Sequence, residues 1–357
     1  IRRVGIPKEL RKRFPPSWRL LRPGKGGWAE PSPFLHKGRA GKVLIIGGSE
    51  GMSGAPMLAA QGCLRAGAGL VHVALPSQLE AGARPGLPEA LLHPVGKGRA
   101  WEGADAVSLI ELVRRVSPDV LVIGPGMGRE KPVGLVIKSL LELENRPPVL
   151  LDADALFFLR LPDAPASEAG ATRHEEENRS RLEFSSSSSA LLTDTDILTP
   201  HPGEMARILP DAFFEKNAGE PREEIKDNSD SSGEPGNAAR IRFLQQDRAA
   251  TARCFTESCP AVLVLKGPGT LIARAGDATT LSPFSISTLA VGGSGDVLSG
   301  VVAALVASGM DSLDAASLGV YLHGRAGELL AERAGRGHLA RDIADAIPAA
   351  WEELCGR

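Results

Sequence analysis

The chain has 357 residues, is 43% hydrophobic and 24% charged, and carries a formal net charge of -2. These are ordinary globular values, and the near-neutral balance argues against a nucleic-acid or membrane-surface partner. Only 4% of residues are aromatic, too few for stacking platforms along a single strand, and no apolar run reaches the ~18 residues needed to span a bilayer.

Four scattered cysteines, Cys63, Cys254, Cys259 and Cys355, make no disulfide framework and lack a histidine cluster for zinc. A reducing, cytoplasmic compartment is expected from this usage. The chain opens on Ile1 rather than Met, which reads as a missing start, and no signal-peptide pattern is present. Residues 1–30 are basic, then rich in proline and glycine, and read as a linker. Residues 31–357 read as a single domain.

Periodic organisation begins at Lys42. Val43–Ile46 is short, apolar and β-branched, as a buried strand is. Gly47-Gly48-Ser49, Gly51 and Gly54 follow, and Pro56 suits the first turn of a helix running to Gly67. Leu70–Leu75 is the next strand, stopped by Pro76, so this segment is a βαβ unit. Its glycines do not match G-x-G-x-x-G, no carboxylate follows the second strand, and no Walker A sequence occurs. A nicotinamide dehydrogenase and a P-loop enzyme are both disfavoured.

Asp119–Ile123 is a third strand, ending in Gly124-Pro125-Gly126-Met127-Gly128. Val149–Leu151 is a fourth, ending in Asp152-Ala153-Asp154. Ligands of open parallel sheets sit beyond the carboxyl ends of the strands, where these glycines and carboxylates lie. Asp152 and Asp154 share a side if the strand pattern continues; the competing reading is that one of them caps a helix. Stretches near 162–193 and 211–240 are charged or serine-rich and read as surface insertions without chemistry. Between them, Asp196–Thr199 is a short strand leading to His201, held between Pro200 and Pro202, and to a helix from about Glu204. The rigid backbone there weighs a functional His201 equally with a structural one.

Ala261–Leu265 is a strand ending in Lys266-Gly267-Pro268-Gly269-Thr270. A strand-end lysine among glycines can meet a phosphate or simply occupy a turn. Gly292-Gly293-Ser294-Gly295 then runs into Asp296 and an apolar helix with Val297, Val301 and Leu305 at four-residue spacing, ended by Gly309. A glycine loop opening a helix lets backbone N–H groups approach an anion, and the helix dipole adds positive charge there. Asp296 either caps this helix or is a base beside a phosphate. Ser312–Leu330 is a further helix, with His323 packed in it.

Taken in order, several motifs resemble the NAD(P)H-hydrate dehydratase family of the ribokinase-like superfamily. They are HKGRAGKVLIIGGSEGMSGAP (His36–Pro56), RAGAGLVHVALP (Arg65–Pro76), VIGPGMG (Val122–Gly128), LLDADAL (Leu150–Leu156), ILTPHPGE (Ile197–Glu204), VLKGPGT (Val264–Thr270), GGSGDVLSG (Gly292–Gly300) and YLHGRAGE (Tyr321–Glu328). Singly each is weak; the ordered set is specific. Val4-Gly5-Ile6-Pro7 resembles the end of the epimerase domain that precedes this one in bifunctional proteins.

The resemblance implies an α/β fold, three-layered α/β/α around a mostly parallel central sheet. It implies that ATP or ADP phosphorylates the ring hydroxyl of hydrated NADH or NADPH (NADHX, NADPHX), and that phosphate is then eliminated, a metabolite-repair reaction. Asp296 would be the general base, with the backbone N–H groups of Gly293, Ser294 and Gly295 holding the phosphoryl group. Lys266, Gly267, Pro268, Gly269, Thr270 and Gly295 would bind the nucleotide. Ala55, Gly126, Gly128, His201 and Asp296 would hold the hydrate, and Glu204 would organise Mg2+ through water. A homo-oligomer is also implied.

The sequence departs from the family pattern in its long insertions. Pro31-Ser32-Pro33 stand where an arginine is common, and Ser285–Thr288 where an asparagine is common. A small-alcohol kinase of the same superfamily, of hydroxyethylthiazole or pyridoxine type, is the alternative. A nucleotide-sensing module without catalysis is the non-enzyme reading.

Overall fold

The computed structural model describes residues 17–22, 40–162, 189–217 and 237–356. Ten strands form one sheet: β1 (Trp18–Leu20), β2 (Lys42–Ile46), β3 (Leu70–Pro76), β4 (Leu91–Val95), β5 (Val120–Ile123), β6 (Val149–Leu151), β7 (Ile197–Leu198), β8 (Val262–Leu265), β9 (Leu271–Ala273) and β10 (Thr279–Leu281). Their spatial order is β1-β10-β9-β8-β7-β6-β5-β2-β3-β4. β9 runs antiparallel to β8 and β10, and the other pairings are parallel. The chain moves outward in opposite directions from β2 and β5, so a crevice opens between the loops that leave them.

Residues of β2, β5, β6 and β8 are apolar and buried toward both faces of the sheet, which requires helices on both sides. One face packs against α1 (Gly54–Arg65), α7 (Ser294–Ala307), α8 (Ser312–Arg333) and α9 (Ala340–Cys355). The other packs against α2 (Asp105–Val116), α3 (Lys131–Leu141), α4 (Pro202–Ile208), α5 (Asn237–Gln246) and α6 (Arg248–Ser258). This is the expected three-layer architecture.

Helix α7 is apolar almost all round because it is wedged between neighbours, with Val297 through Ala307 buried. It meets α1 backbone to backbone. A Cβ on Gly300 would lie 1.9 Å from the Ala59 carbonyl oxygen, and one on Gly62 would lie 2.4 Å from that of Val297. Glycine at both crossings therefore fixes where α7 begins relative to the crevice.

The strands and helices read from periodicity are present, with ends shifted by a few residues at most. Within residues 1–30, Trp18–Leu20 forms β1, parallel to β10. Three residues carry no readable period, and the pairing partner lies far along the chain. Within 211–240, residues 211–217 and 237–240 are helical. The central parts of both insertions, the His36-Lys37-Gly38 motif and Val4–Pro7 lie outside the described residues. Among the described residues no helix is long and apolar enough to cross a membrane.

Candidate active site

The glycine cluster opens α7. Gly293 takes the N-cap position at φ +86, where a Cβ would meet Leu58 Cδ1 at 2.4 Å. Glycine is thus favoured by conformation, and any side chain there would also have to displace the end of Leu58. No side chain caps α7, so Asp296, in its first turn, is not a cap. The Ser294 N–H already donates to the Val291 carbonyl at 3.2 Å. Buried His323 grips the same residue, with Nε2 3.0 Å from the Ser294 carbonyl and 3.2 Å from its Oγ. Burial pushes His323 down to about 4, so it is neutral and donates from Nε2. The packed-helix reading of His323 holds, and its packing partner is the glycine loop.

Beside this helix start, one lysine faces three carboxyl groups. Lys266 Nζ lies 2.7 Å from Asp152 Oδ1 and 4.0 Å from Glu204 Oε2. Asp152 is 1% exposed and accepts from Ser299 Oγ of α7 at 2.5 Å. Burial pushes Asp152 upward, but the charge and hydrogen bond of Lys266, with Ser299, hold it below the ordinary carboxylate range. Burial, then repulsion from Asp152, pushes Asp296 up to about 8. Burial pushes Glu204 up to about 7, with Lys266 pulling the other way. Lys266 stays charged: burial opposes this, but Asp152 and Glu204 outweigh it.

The loops of β2 and β5 build a second wall. Gly126 sits at φ +64, and a Cβ there would meet the Met52 carbonyl at 2.6 Å and Ala55 Cβ at 3.1 Å. Ser49 Oγ donates to the Gly126 carbonyl at 2.9 Å. Asp154 accepts from the Gly128 N–H at 3.0 Å and from Arg129 Nε at 2.9 Å. Neither Asp152 nor Asp154 caps a helix through its side chain, because each carboxylate has a cationic partner instead.

His201 does cap a helix. Its Nδ1 accepts from the N–H groups of Gly203 at 3.0 Å and Glu204 at 3.3 Å, while Glu204 Oε2 accepts from the His201 N–H at 2.8 Å. This reciprocal arrangement satisfies three donors at the start of α4. Burial, with Lys266 nearby, pushes His201 down to about 4; Nε2 then carries the proton, 3.3 Å from Glu204 Oε1.

A cavity of about 650 Å³ lies between these groups and α8. His201, Lys266, Gly267, Pro268, Thr270, Ser294 and Gly295 line it, as do Phe284, Leu289, Val291, Leu298 and Val320. Phe284, Leu289 and Val291 escaped sequence reading because residues 284–291 are irregular apart from one 3-10 turn, Ser287–Leu289. Gly269 stands behind the lining, its N–H donating to the Phe284 carbonyl at 2.9 Å. Ala55, Gly126, Gly128, Gly293 and Asp296 are also outside this lining. A cavity of similar size, about 640 Å³, lies at the amino ends of the strands among Ile110, Arg114, Ser139 and Arg146. It contains none of the predicted site residues.

Comparison with known proteins gives the same direction. The ADP-dependent (S)-NAD(P)H-hydrate dehydratase of Neisseria meningitidis is 32% identical, over 87% of this chain and 85% of that protein. The ADP/ATP-dependent NAD(P)H-hydrate dehydratase of Bacillus subtilis, co-crystallised with ATP/Mg2+, superposes with a TM-score of 0.64. It is 26% identical and covers 92% of this chain and 94% of that one. A ribokinase-like superfamily protein of Enterococcus faecalis V583 has the same fold, at TM-score 0.66 and 21% identity, covering 96% of this chain and 98% of that one. The chain spans about half the length of bifunctional NAD(P)H-hydrate repair enzymes from Escherichia coli and Moorella thermoacetica. A family model for NAD(P)H-hydrate dehydratase matches residues 43–349, and the chain belongs to that family.

Proposed function

We propose that this protein dehydrates NADHX and NADPHX at the expense of ATP or ADP. The observation that carries the reading is the convergence of Lys266, Asp152 and Asp296 at the start of α7, between a ligand-sized cavity and the glycine loop of β5. Pockets for small ligands run roughly 300–1,000 Å³, and the cavity of about 650 Å³ is in that range. Its apolar wall suits a nucleobase, and Lys266 with the Gly267–Thr270 turn suits phosphates.

In this reading the ring hydroxyl attacks the terminal phosphoryl group while Asp296 takes the hydroxyl proton. Backbone N–H groups of Gly293 and Gly295 stabilise the transferring charge, the Ser294 N–H being already given to Val291. Lys266 neutralises it further, held in place by Asp152. The ring-nitrogen lone pair then expels phosphate, a proton leaves the neighbouring ring carbon, and the dihydronicotinamide is restored. A base with a pKa near the working pH serves best, and Asp296 at about 8 is such a group.

Among the described residues no three His, Cys, Asp or Glu side chains form a direct metal cage, and both Glu204 oxygens already face His201, so the carboxyl groups here suit a water-bridged magnesium ion only. Glu204 would hold the ion through water, and the ion would neutralise charge on the nucleotide's phosphates. We read the protein as a cytoplasmic homo-oligomer, the free thiols of all four cysteines supporting a reducing location.

The experiment is recovery of reduced-nicotinamide absorbance from purified NADHX with Mg2+ and either nucleotide, with phosphate release measured in parallel. Equal amounts of dinucleotide and phosphate are expected. A stable phosphorylated product would favour the small-alcohol kinase, and nucleotide binding without turnover the sensing module. Light scattering of the purified protein tests the oligomer.

A further inference from the structure

Loops leaving the neighbouring strands β5, β6 and β7 bring two arginines onto one aromatic ring. The guanidinium carbons of Arg129 and Arg207 each lie 5.6 Å from the centre of the Phe157 ring. Arg129 follows Gly128 directly, and its Nε is committed to Asp154. That leaves its two Nη groups for other acceptors. Arg207 is in the last turn of α4, whose first turn is capped by His201. Among the described residues, Arg207 has no carboxylate within ion-pair distance. Both charges reach the site, since each lowers the proton affinity of His201.

Two guanidinium groups sharing a ring repel one another, and among the described residues Asp154 is the one carboxylate paired with them. In the deeper cluster Lys266 is matched by the charge of Asp152, whereas burial pushes Asp296 and Glu204 toward their protonated forms. The cationic excess of this wall is therefore at the two arginines. Guanidinium forks match phosphate oxygens in pairs and stay charged at every working pH.

We propose that Arg129 and Arg207 bind the pyrophosphate bridge of the dinucleotide hydrate and so select a dinucleotide over a small alcohol. This rests on reading Ala55, Gly126, Gly128 and His201 as the hydrate wall. The phosphates of the donor nucleotide belong instead to Lys266–Thr270 and the start of α7, whose cavity lining does not include Arg129 or Arg207. The bridge carries two negative charges, one for each guanidinium, and a small alcohol carries none.

The test compares Arg207→Gln, Arg207→Lys and Arg129→Gln with the wild type on two substrates. One is hydrated NADH; the other is the hydrate of reduced nicotinamide riboside, which lacks both phosphates. A charged hydrogen bond is worth roughly 10- to 150-fold in affinity, so KM for hydrated NADH should rise by about that factor in the glutamine variants. The kcat and the KM for ATP should hold, and Arg207→Lys should recover part of the loss. With the riboside, the Arg207 variants and wild type should have equal KM. Arg207→Gln is decisive, because Arg129 also supports the Asp154 loop. An unchanged KM for hydrated NADH, or equal losses on both substrates, overturns the proposal.

A binding arm needs no turnover. With the cavity filled by a non-hydrolysable ATP analogue, ADP-ribose should bind the wild type and bind the double glutamine variant at least tenfold more weakly. Equal binding overturns the pyrophosphate assignment. Absence of NADHX turnover in the wild type would count instead against the proposed reaction.

Discussion

Replacing Asp296 by asparagine should remove activity and at the same time stabilise the protein at alkaline pH. Burial and the neighbouring Asp152 hold the Asp296 carboxyl at about 8 instead of its ordinary 3.8. The folded protein therefore binds this proton more tightly than the unfolded chain does. Between those two values the folded state carries more protons, and stability falls as pH rises. The penalty is absent below about 3.8 and complete above about 8. At about 1.4 kcal/mol per tenfold in proton affinity, the ceiling is roughly 6 kcal/mol. Lys266 turning toward the new charge and water entering the crevice both reduce this, so a gain of about 1–3 kcal/mol is expected. Urea unfolding at pH 5 and pH 9 measures it, and the asparagine variant should gain on the wild type mainly at pH 9. Turnover should fall roughly 10²- to 10⁴-fold at either pH. A variant less stable than wild type at pH 9, or one with near wild-type turnover, would refute the reasoning.

Lys266→Met leaves Asp152 buried without its cation, and loss of one partner from a buried pair costs about 3–5 kcal/mol; urea unfolding should show this, with Asp152→Asn in the same chain recovering part of it. Gly324→Ala places a Cβ 2.1 Å from Phe284 Cδ2 and should push that ring into the nucleotide cavity. The expected result is a raised KM for ATP with a stability loss of roughly 1–3 kcal/mol, measured by steady-state kinetics and melting. His201→Asn retains a capping side chain and His201→Ala does not, so only the alanine variant should lose about 1 kcal/mol. Both should raise KM for the hydrate if His201 also touches it, and an unchanged KM would leave it a cap alone.

What could be read from the sequence depended on how local the signal was. The central strands announce themselves because burial on both faces leaves room for little but branched apolar residues, as in Val43–Ile46 and Val262–Leu265. The edge strand β4, Leu91–Val95, has only one fully buried residue and contains Pro94, so it offers neither a run nor an alternation. Helix α2 did carry a signal that went unused: Leu109, Leu112 and Val113 are buried at helical spacing. Gly293 and Gly126 were legible because side-chain-bearing residues rarely adopt φ +86 or +64, and a Cβ at Gly126 would also meet the Met52 carbonyl.

The site itself shows where local reading stops. Asp152 and Asp154 invite one explanation, since they are two apart in the chain and follow the same strand. They act on opposite sides of the crevice: Asp154 shapes the β5 loop through Gly128 and Arg129, and Asp152 anchors Lys266, 114 residues away. Asp152 also ties itself to Ser299 on α7, 147 residues away. No spacing rule reaches across such distances, because the sheet order, not the chain order, decides which strand ends are neighbours. Once β6, β7 and β8 are known to be adjacent, Asp152, Glu204 and Lys266 must share a crevice. The high pKa of Asp296 follows from that adjacency and from burial. Its place in the first turn of α7 was legible, whereas its raised proton affinity is a property of the assembled sheet.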